Sequence, residues 1–222
     1  MTSRKHTREV RPSMPGSKLW ADAPLLLLLC ALLLCSCQKT ERLFPLAGDA
    51  VILAFGDSLT YGTGASKAES YPATLATLTG RKVINAGVPG EVTEEGRARL
   101  ASVLDETQPA LLILCHGGND FLRRLDRTQA KENLRAMVQS ARERGIAVVL
   151  VAVPTLGFGL QVPSLYEEVA SEAGIPLQGD ILAEILGDAS LKSDPIHPNA
   201  AGYKELAIAL EKLLRRSKAL ER

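Results

Sequence analysis

The sequence predicts an α/β protein built on a parallel sheet with helices on both faces. Three observations carry that prediction. From residue 50 to about residue 216, short continuous apolar runs alternate with amphipathic stretches. The runs are aliphatic and β-branched, as in strands buried on both faces. Most of the amphipathic stretches stop at a glycine or proline, and such regular alternation implies parallel strands joined by crossover helices.

Taken in order, residues 51–55 (Val-Ile-Leu-Ala-Phe) form the first strand, and Gly56 allows a sharp turn where it stops. Tyr71–Thr79 fits a short helix ended by Gly80. Residues 82–85 form a second strand that opens into Ala86-Gly87-Val88-Pro89-Gly90. Thr93 caps a helix to about Thr107, with Glu94 and Glu95 favourably placed in its first turn. Residues 110–115 are the third strand. Residues 127–144 form a helix with an apolar stripe of Leu134, Met137, Val138 and Ala141, ended at Gly145. Residues 146–153 are the fourth strand, and 154–163 a glycine-containing loop. Ser164 and Glu167 form a capping box for a helix to Ala173. Residues 175–177 are a short fifth strand and 180–186 a short helix. Asn199 caps a last helix to Arg216.

Composition narrows the function. The 222 residues carry a formal net charge of +1, and aromatic residues make up 4%. A nucleic-acid surface needs a basic footprint and stacking platforms, and neither is present. Residues 1–20 hold Arg4, Lys5, Arg8, Arg11 and Lys18, and a leucine-rich block follows to Leu34. That order, ending in small residues, is an export signal over residues 1–36. It is short for a spanning helix. Leu34-Cys35-Ser36-Cys37 resembles a bacterial lipobox, which makes Cys37 the acylated first residue of a mature lipoprotein. Release after ordinary cleavage and an uncleaved anchor are the alternatives, and either Met1 or Met14 serves as start. Without residues 1–36 the chain keeps 21 basic and 23 acidic residues, a charge of −2. Residues 37–49 read as a tether, 50–216 as the domain and 217–222 as a polar tail. Cys115, on an apolar strand, reads as an inert core thiol.

The chemistry centres on Gly56-Asp57-Ser58-Leu59. Ser58 follows the first strand, at the carboxyl edge where open parallel sheets hold ligands. A serine there either caps a turn or acts as a nucleophile, and the second role needs a base and an oxyanion site. Beyond residue 36 the histidines are His116 and His197. His197 lies between Pro195 and Pro198, three residues after Asp194, which can accept from one ring nitrogen and leave the other to take the serine proton. His116 directly follows the third strand with no obvious group to orient it, so His197 is the favoured base. The backbone N–H groups of Ser58 and Gly90 and the amide of Asn119 are candidate oxyanion donors.

These four stretches, Gly56-Asp57-Ser58-Leu59, Gly90, Gly117-Gly118-Asn119-Asp120 and Asp194-Pro195-Ile196-His197, resemble in order the four blocks of the SGNH, or GDSL-type, hydrolases. The branch most like it contains thioesterase I/lysophospholipase and arylesterases. The resemblance covers about residues 50–215. It implies a three-layer, flavodoxin-like fold with five parallel strands, and no metal or cofactor. It makes Ser58 the nucleophile, His197 the base, Asp194 its partner, and Ser58, Gly90 and Asn119 the oxyanion hole. Asp57 is then structural, holding its turn. His116 departs from that branch, where a small or aliphatic residue precedes the Gly-Gly-Asn-Asp block.

The resulting expectation is a monomeric serine hydrolase of carboxylic esters or thioesters, exported to the bacterial cell envelope. It would be a periplasm-facing lipoprotein or a soluble periplasmic enzyme. Leu156, Phe158 and Leu160 among the glycines of 154–163 suggest an apolar wall for an acyl chain. Fatty-acyl esters or lysophospholipids are therefore favoured over the O-acetyl groups of carbohydrates. The rival from another class is an inactive hydrolase fold that binds an envelope ligand.

Overall fold

The computed structural model describes residues 41–220 apart from Phe158; the expected signal, the lipobox and Cys37 lie outside the described residues. The central sheet has five parallel strands in the order β2-β1-β3-β4-β7. They are β1 (Val51–Gly56), β2 (Lys82–Gly87), β3 (Leu111–Cys115), β4 (Ala147–Val151) and β7 (Leu177–Gln178). This is the predicted doubly wound arrangement, with the strand order of flavodoxin-like folds. Residues 52–55 and all of β3 are fully buried, as strands covered on both faces must be.

The helices are α1 (Ser58–Tyr61), α2 (Tyr71–Thr79), α3 (Thr93–Thr107), α4 (Gly118–Leu122), α5 (Arg127–Glu143), α6 (Leu165–Ala173), α7 (Ile181–Gly187) and α8 (Ala200–Arg216). On one side α2 and α7 pack against α8; on the other α3 packs against α5, and α5 against α6. The apolar stripe of α5 is buried at Leu134, Met137, Val138 and Ala141, and α8 buries Leu206, Leu210, Leu213 and Leu214.

β1 lies between β2 and β3, which are reached by crossovers in opposite directions. Register brings Gly56 level with Gly87 on one side and Cys115 on the other. The three strands therefore end together, and the loops after β1, β2 and β3 meet at the switch point of the topology.

Several local expectations are corrected. Gly56 is not needed for a turn: its φ is not positive, but a Cβ there would lie 1.9 Å from the Cys115 carbonyl oxygen, so a side chain has no room beside β3. Thr93 is the first residue of α3 rather than its cap, and its hydroxyl donates to Asp120 Oδ1 at 2.6 Å. Ser164 bonds Glu168 at 2.8 Å instead of forming a capping box with Glu167. The loop at 154–163 contains an antiparallel hairpin, β5 (Thr155–Gly157) and β6 (Gly159–Gln161). The described part of the segment expected as a tether is attached: Leu43 and Leu46 donate backbone bonds to Ser217 and Ala219 and pack on the core. The end expected as a polar tail likewise buries Ala219 and Leu220. Leu43 and Leu46 on one segment and Ala219 and Leu220 on the other supply apolar side chains to bury, and the backbone bonds between them satisfy polar groups of both.

Candidate active site

Ser58 stands at the start of α1, immediately after β1. Asp57 caps this single turn by accepting from the Leu59 N–H at 3.0 Å. Asp57 is 1% exposed. Burial pushes its carboxyl above the ordinary value, against the opposing effects of His116, the Leu59 N–H and His197.

His197 comes from the loop before α8. Its Nε2 lies 3.0 Å from Ser58 Oγ, and its Nδ1 lies 2.7 Å from Asp194 Oδ2. The other oxygen of Asp194 accepts from the backbone N–H groups of Ile196 and His197 at 2.8 and 2.9 Å. Desolvation raises the Asp194 carboxyl, but the His197 ring bond and these two N–H donors outweigh it, so it lies below the ordinary range. An ionised carboxylate only accepts. The Nδ1 position therefore carries the ring proton, and Nε2 is left to accept from the serine hydroxyl. The loop is fastened at its ends: Ser193 N–H donates to the His197 carbonyl at 2.9 Å, and Asn199 Nδ2 donates to the Ser190 carbonyl at 2.8 Å.

Asn119 opens α4 after β3. Its amide donates to the Glu91 carbonyl at 2.9 Å and reaches Asp57 Oδ2 at 3.4 Å. Ser58, Asn119 and His197 line one cleft, whose apolar wall comes from Leu122, Val153, Pro154, Leu156, Leu186 and Ile196. Gly90 does not line that cleft. It sits on the turn after β2 at φ +82°, next to the residue that holds Asn119, and its carbonyl accepts from Arg123 at 2.7 Å.

His116 has a partner after all. It is fully buried, with Nε2 2.9 Å from Glu91 Oε2, and Nδ1 accepts from the Gly117 N–H at 3.1 Å. Arg99 grips both oxygens of the same carboxylate, at 2.5 and 2.7 Å, and donates to the Ala86 carbonyl at 2.8 Å. Burial raises the Glu91 carboxyl, but the bonds from His116 and Arg99 outweigh it, leaving it below the ordinary range. Sequence reasoning missed Glu91 and Arg99. The available signal was an acid just after Gly90 and an arginine two turns along the following helix. Asp120 was also missed as the group that holds Thr93, through both its hydroxyl and its N–H. Cys115 is buried, and burial first, then the charge of Asp57, raises its thiol well above the ordinary value. It does not line the cleft.

Chemically, the arrangement offers a hydroxyl facing an unprotonated imidazole nitrogen, a carboxylate behind that ring, and an amide at the same cleft. Those are the parts of a serine acyl-transfer site.

The profile of the GDSL-like Lipase/Acylhydrolase family matches residues 54–205. Esterase TesA of Pseudomonas aeruginosa is 30% identical over 187 residues, covering 79% of this chain and 93% of that protein. Thioesterase 1/protease 1/lysophospholipase L1 of Escherichia coli strain K12 is 29% identical over 164 residues, covering 70% of this chain and 79% of that protein. A crystal structure of TesA aligns with a TM-score of 0.68 at 28% identity, covering 75% of this chain and 99% of the solved one. Because the matched span runs from β1 into α8 and includes Ser58, Gly90, Asn119, Asp194 and His197, the chain belongs to the GDSL-like lipase/acylhydrolase family of hydrolases.

Proposed function

We propose that this protein hydrolyses carboxylic esters and thioesters through an acyl-enzyme on Ser58. The observation that carries the reading is the 3.0 Å approach of His197 Nε2 to Ser58 Oγ, with Asp194 on the opposite nitrogen. His197 removes the hydroxyl proton as Oγ attacks the acyl carbonyl carbon. The carbonyl oxygen becomes an oxyanion, stabilised by the Ser58 N–H and the Asn119 amide, which line the cleft as Gly90 does not. The tetrahedral species collapses with loss of the alcohol or thiol, which takes its proton from His197. Water then adds to the acyl-enzyme with His197 again as base, and the acid leaves with Ser58 restored. Asp194 keeps the ring in the required tautomer and stabilises the imidazolium.

The leucine-lined cleft favours acyl chains longer than acetyl. The relatives named for lysophospholipase and thioesterase activity agree with that preference. The substrate class is thus fatty-acyl esters, lysophospholipids included, rather than acetylated carbohydrates. We extend the reading to an exported, envelope-facing enzyme, anchored through lipid on Cys37 or released into the periplasm.

The test is a series of p-nitrophenyl esters of increasing acyl length. Wild-type activity should rise beyond acetyl, and Ser58→Ala should lose both turnover and labelling by a fluorophosphonate. Full activity in Ser58→Ala refutes the mechanism, and a strict acetyl preference refutes the substrate class. Mass spectrometry of the mature N-terminus, for wild type and Cys37→Ala, reads the anchor.

A further inference from the structure

Among the described residues, the large apolar side chains left exposed are unevenly distributed. They are Phe44, Tyr61, Leu78, Val88, Leu122, Leu125 and Leu156. All but Phe44 and Leu78 lie at the carboxyl edge of the sheet, on the segments that follow β1, β2, β3 and β4. The cleft explains Leu122 and Leu156, which line it. It does not explain Leu125, Val88 or Tyr61.

Two adjacent projections flank the cleft, for α4 touches β5. From α4 the chain runs Leu122-Arg123-Arg124-Leu125, and each of these residues is exposed. Arg123 is tied to the Gly90 carbonyl at 2.7 Å. The Arg124 side chain makes no hydrogen bond or ion pair among the described residues; its backbone N–H donates to the Phe121 carbonyl at 3.1 Å, and it holds a left-handed backbone at φ +56°, uncommon for a residue other than glycine. Asp126, the nearest exposed acid in sequence, is occupied in capping α5 through the Thr128 N–H at 2.8 Å. The second projection, the β5–β6 hairpin with its flanks at 154–163, contains no charged residue. Beside the cleft, then, an uncharged hairpin stands next to leucines interleaved with guanidinium groups. Apolar side chains that reach the acyl boundary, with cations at the level of lipid phosphates, are the pattern of a surface that lies on an anionic membrane. The domain as a whole is slightly acidic, so such attraction would be confined to this face.

We infer that the edge of the protein around the cleft docks onto an anionic phospholipid bilayer, with Leu125 and Arg124 beside the hairpin as the contact. Docking brings the cleft to the plane where lipid-borne esters lie. The binding step itself needs no hydrolysis, so it stands or falls apart from the Ser58 mechanism.

Residues 41–222 suit the test, because the domain aligns with 99% of a separately solved chain. They also omit the apolar N-terminal block, which would bind lipid by itself. Flotation is measured with vesicles of phosphatidylcholine alone and with equal parts of phosphatidylcholine and phosphatidylglycerol. At low salt, partition onto the mixed vesicles should exceed that onto neutral ones by about tenfold or more, and it should fall as salt rises. Arg124→Asn, which tolerates the left-handed backbone, and Leu125→Ser should each weaken partition about fivefold. Neither lines the cleft, so both should hydrolyse soluble p-nitrophenyl butyrate like the wild type. Equal partition onto both vesicle types, no binding at low salt, or a double variant that floats like the wild type overturns the inference. Ser58→Ala should float normally. A wild type that floats but cleaves no ester refutes the hydrolase reading and leaves this one standing.

Discussion

The two histidines at the carboxyl edge sit in contrasting surroundings. His197 lies in a partly exposed loop and meets an aspartate three residues away, which is itself 44% exposed. His116 is fully buried, and its partner Glu91 is 25 residues distant in the chain and 5% exposed. Both rings face a carboxylate, so a carboxylate partner alone does not mark a base. What separates them is the second nitrogen. In His197 it faces a hydroxyl that can give up a proton. In His116 it is occupied by the Gly117 N–H, which leaves the ring no site for a transferred proton. The first region has the layout the proposed mechanism needs, whereas the second joins the ends of β1, β2 and β3 through Arg99, Glu91 and the His116 ring.

If this contrast is right, substitutions in the two regions should fail in different ways. His197→Ala should lower kcat on a soluble ester by about 10⁴-fold or more, with a urea midpoint close to wild type. Loss of stability without loss of turnover would erase the distinction. Glu91→Ala should do the reverse first. Removing one partner of a buried, multiply bonded pair costs about 3–5 kcal/mol, read from equilibrium denaturation. A change below about 1 kcal/mol, the scale of an exposed ion pair, would make the cluster no stronger than a surface contact. A gentler probe is Gly96→Ala. Its Cβ would fall 2.4 Å from His116 Nε2, so overpacking of about 1–3 kcal/mol should outweigh the helix-propensity gain of about 1 kcal/mol. A stabilised Gly96→Ala protein would mean that the ring has room to move.

The smallest effect concerns acid. The Glu91 carboxyl is held below its ordinary value in the folded state, so its contribution is present above the unfolded-state value. That contribution is lost as pH falls through the folded-state value. The stability advantage of wild type over Glu91→Gln should therefore be steady near neutrality and shrink below about pH 4. An advantage that grew on acidification would reverse the sign of the shift.

Much of the fold was legible because it rests on local patterns. Tyr71–Thr79 ends at Gly80 in the left-handed conformation, and Asn199 caps α8 by accepting from the Gly202 N–H at 3.1 Å, both as the sequence predicts. Illegible were features whose partner comes from elsewhere in the chain. Thr93 looks like a cap because threonine accepts from its own helix, yet Asp120, 27 residues on, captures it instead. The hairpin at 155–161 escaped notice since three-residue strands have no periodicity to read. The same division runs through the site. Asp194 and His197 are read together because a short stiff loop forces them to meet. Glu91 was not assigned to His116 because nothing near either residue signals the other.

Alone, the sequence determined that strands and helices alternate, where most of them begin and end, and which side chains carry polar chemistry. These follow from period, punctuation and residue type, all properties of neighbours along the chain. The tertiary structure decided which of two histidines faces the serine, and that Glu91 and Arg99 lock the other. It also gathered the exposed leucines and arginines beside the cleft. Such outcomes depend on the strand order β2-β1-β3-β4-β7, which brings loops distant in sequence to one edge. No local propensity encodes that order, because it is chosen by burial of the whole sheet between its helices.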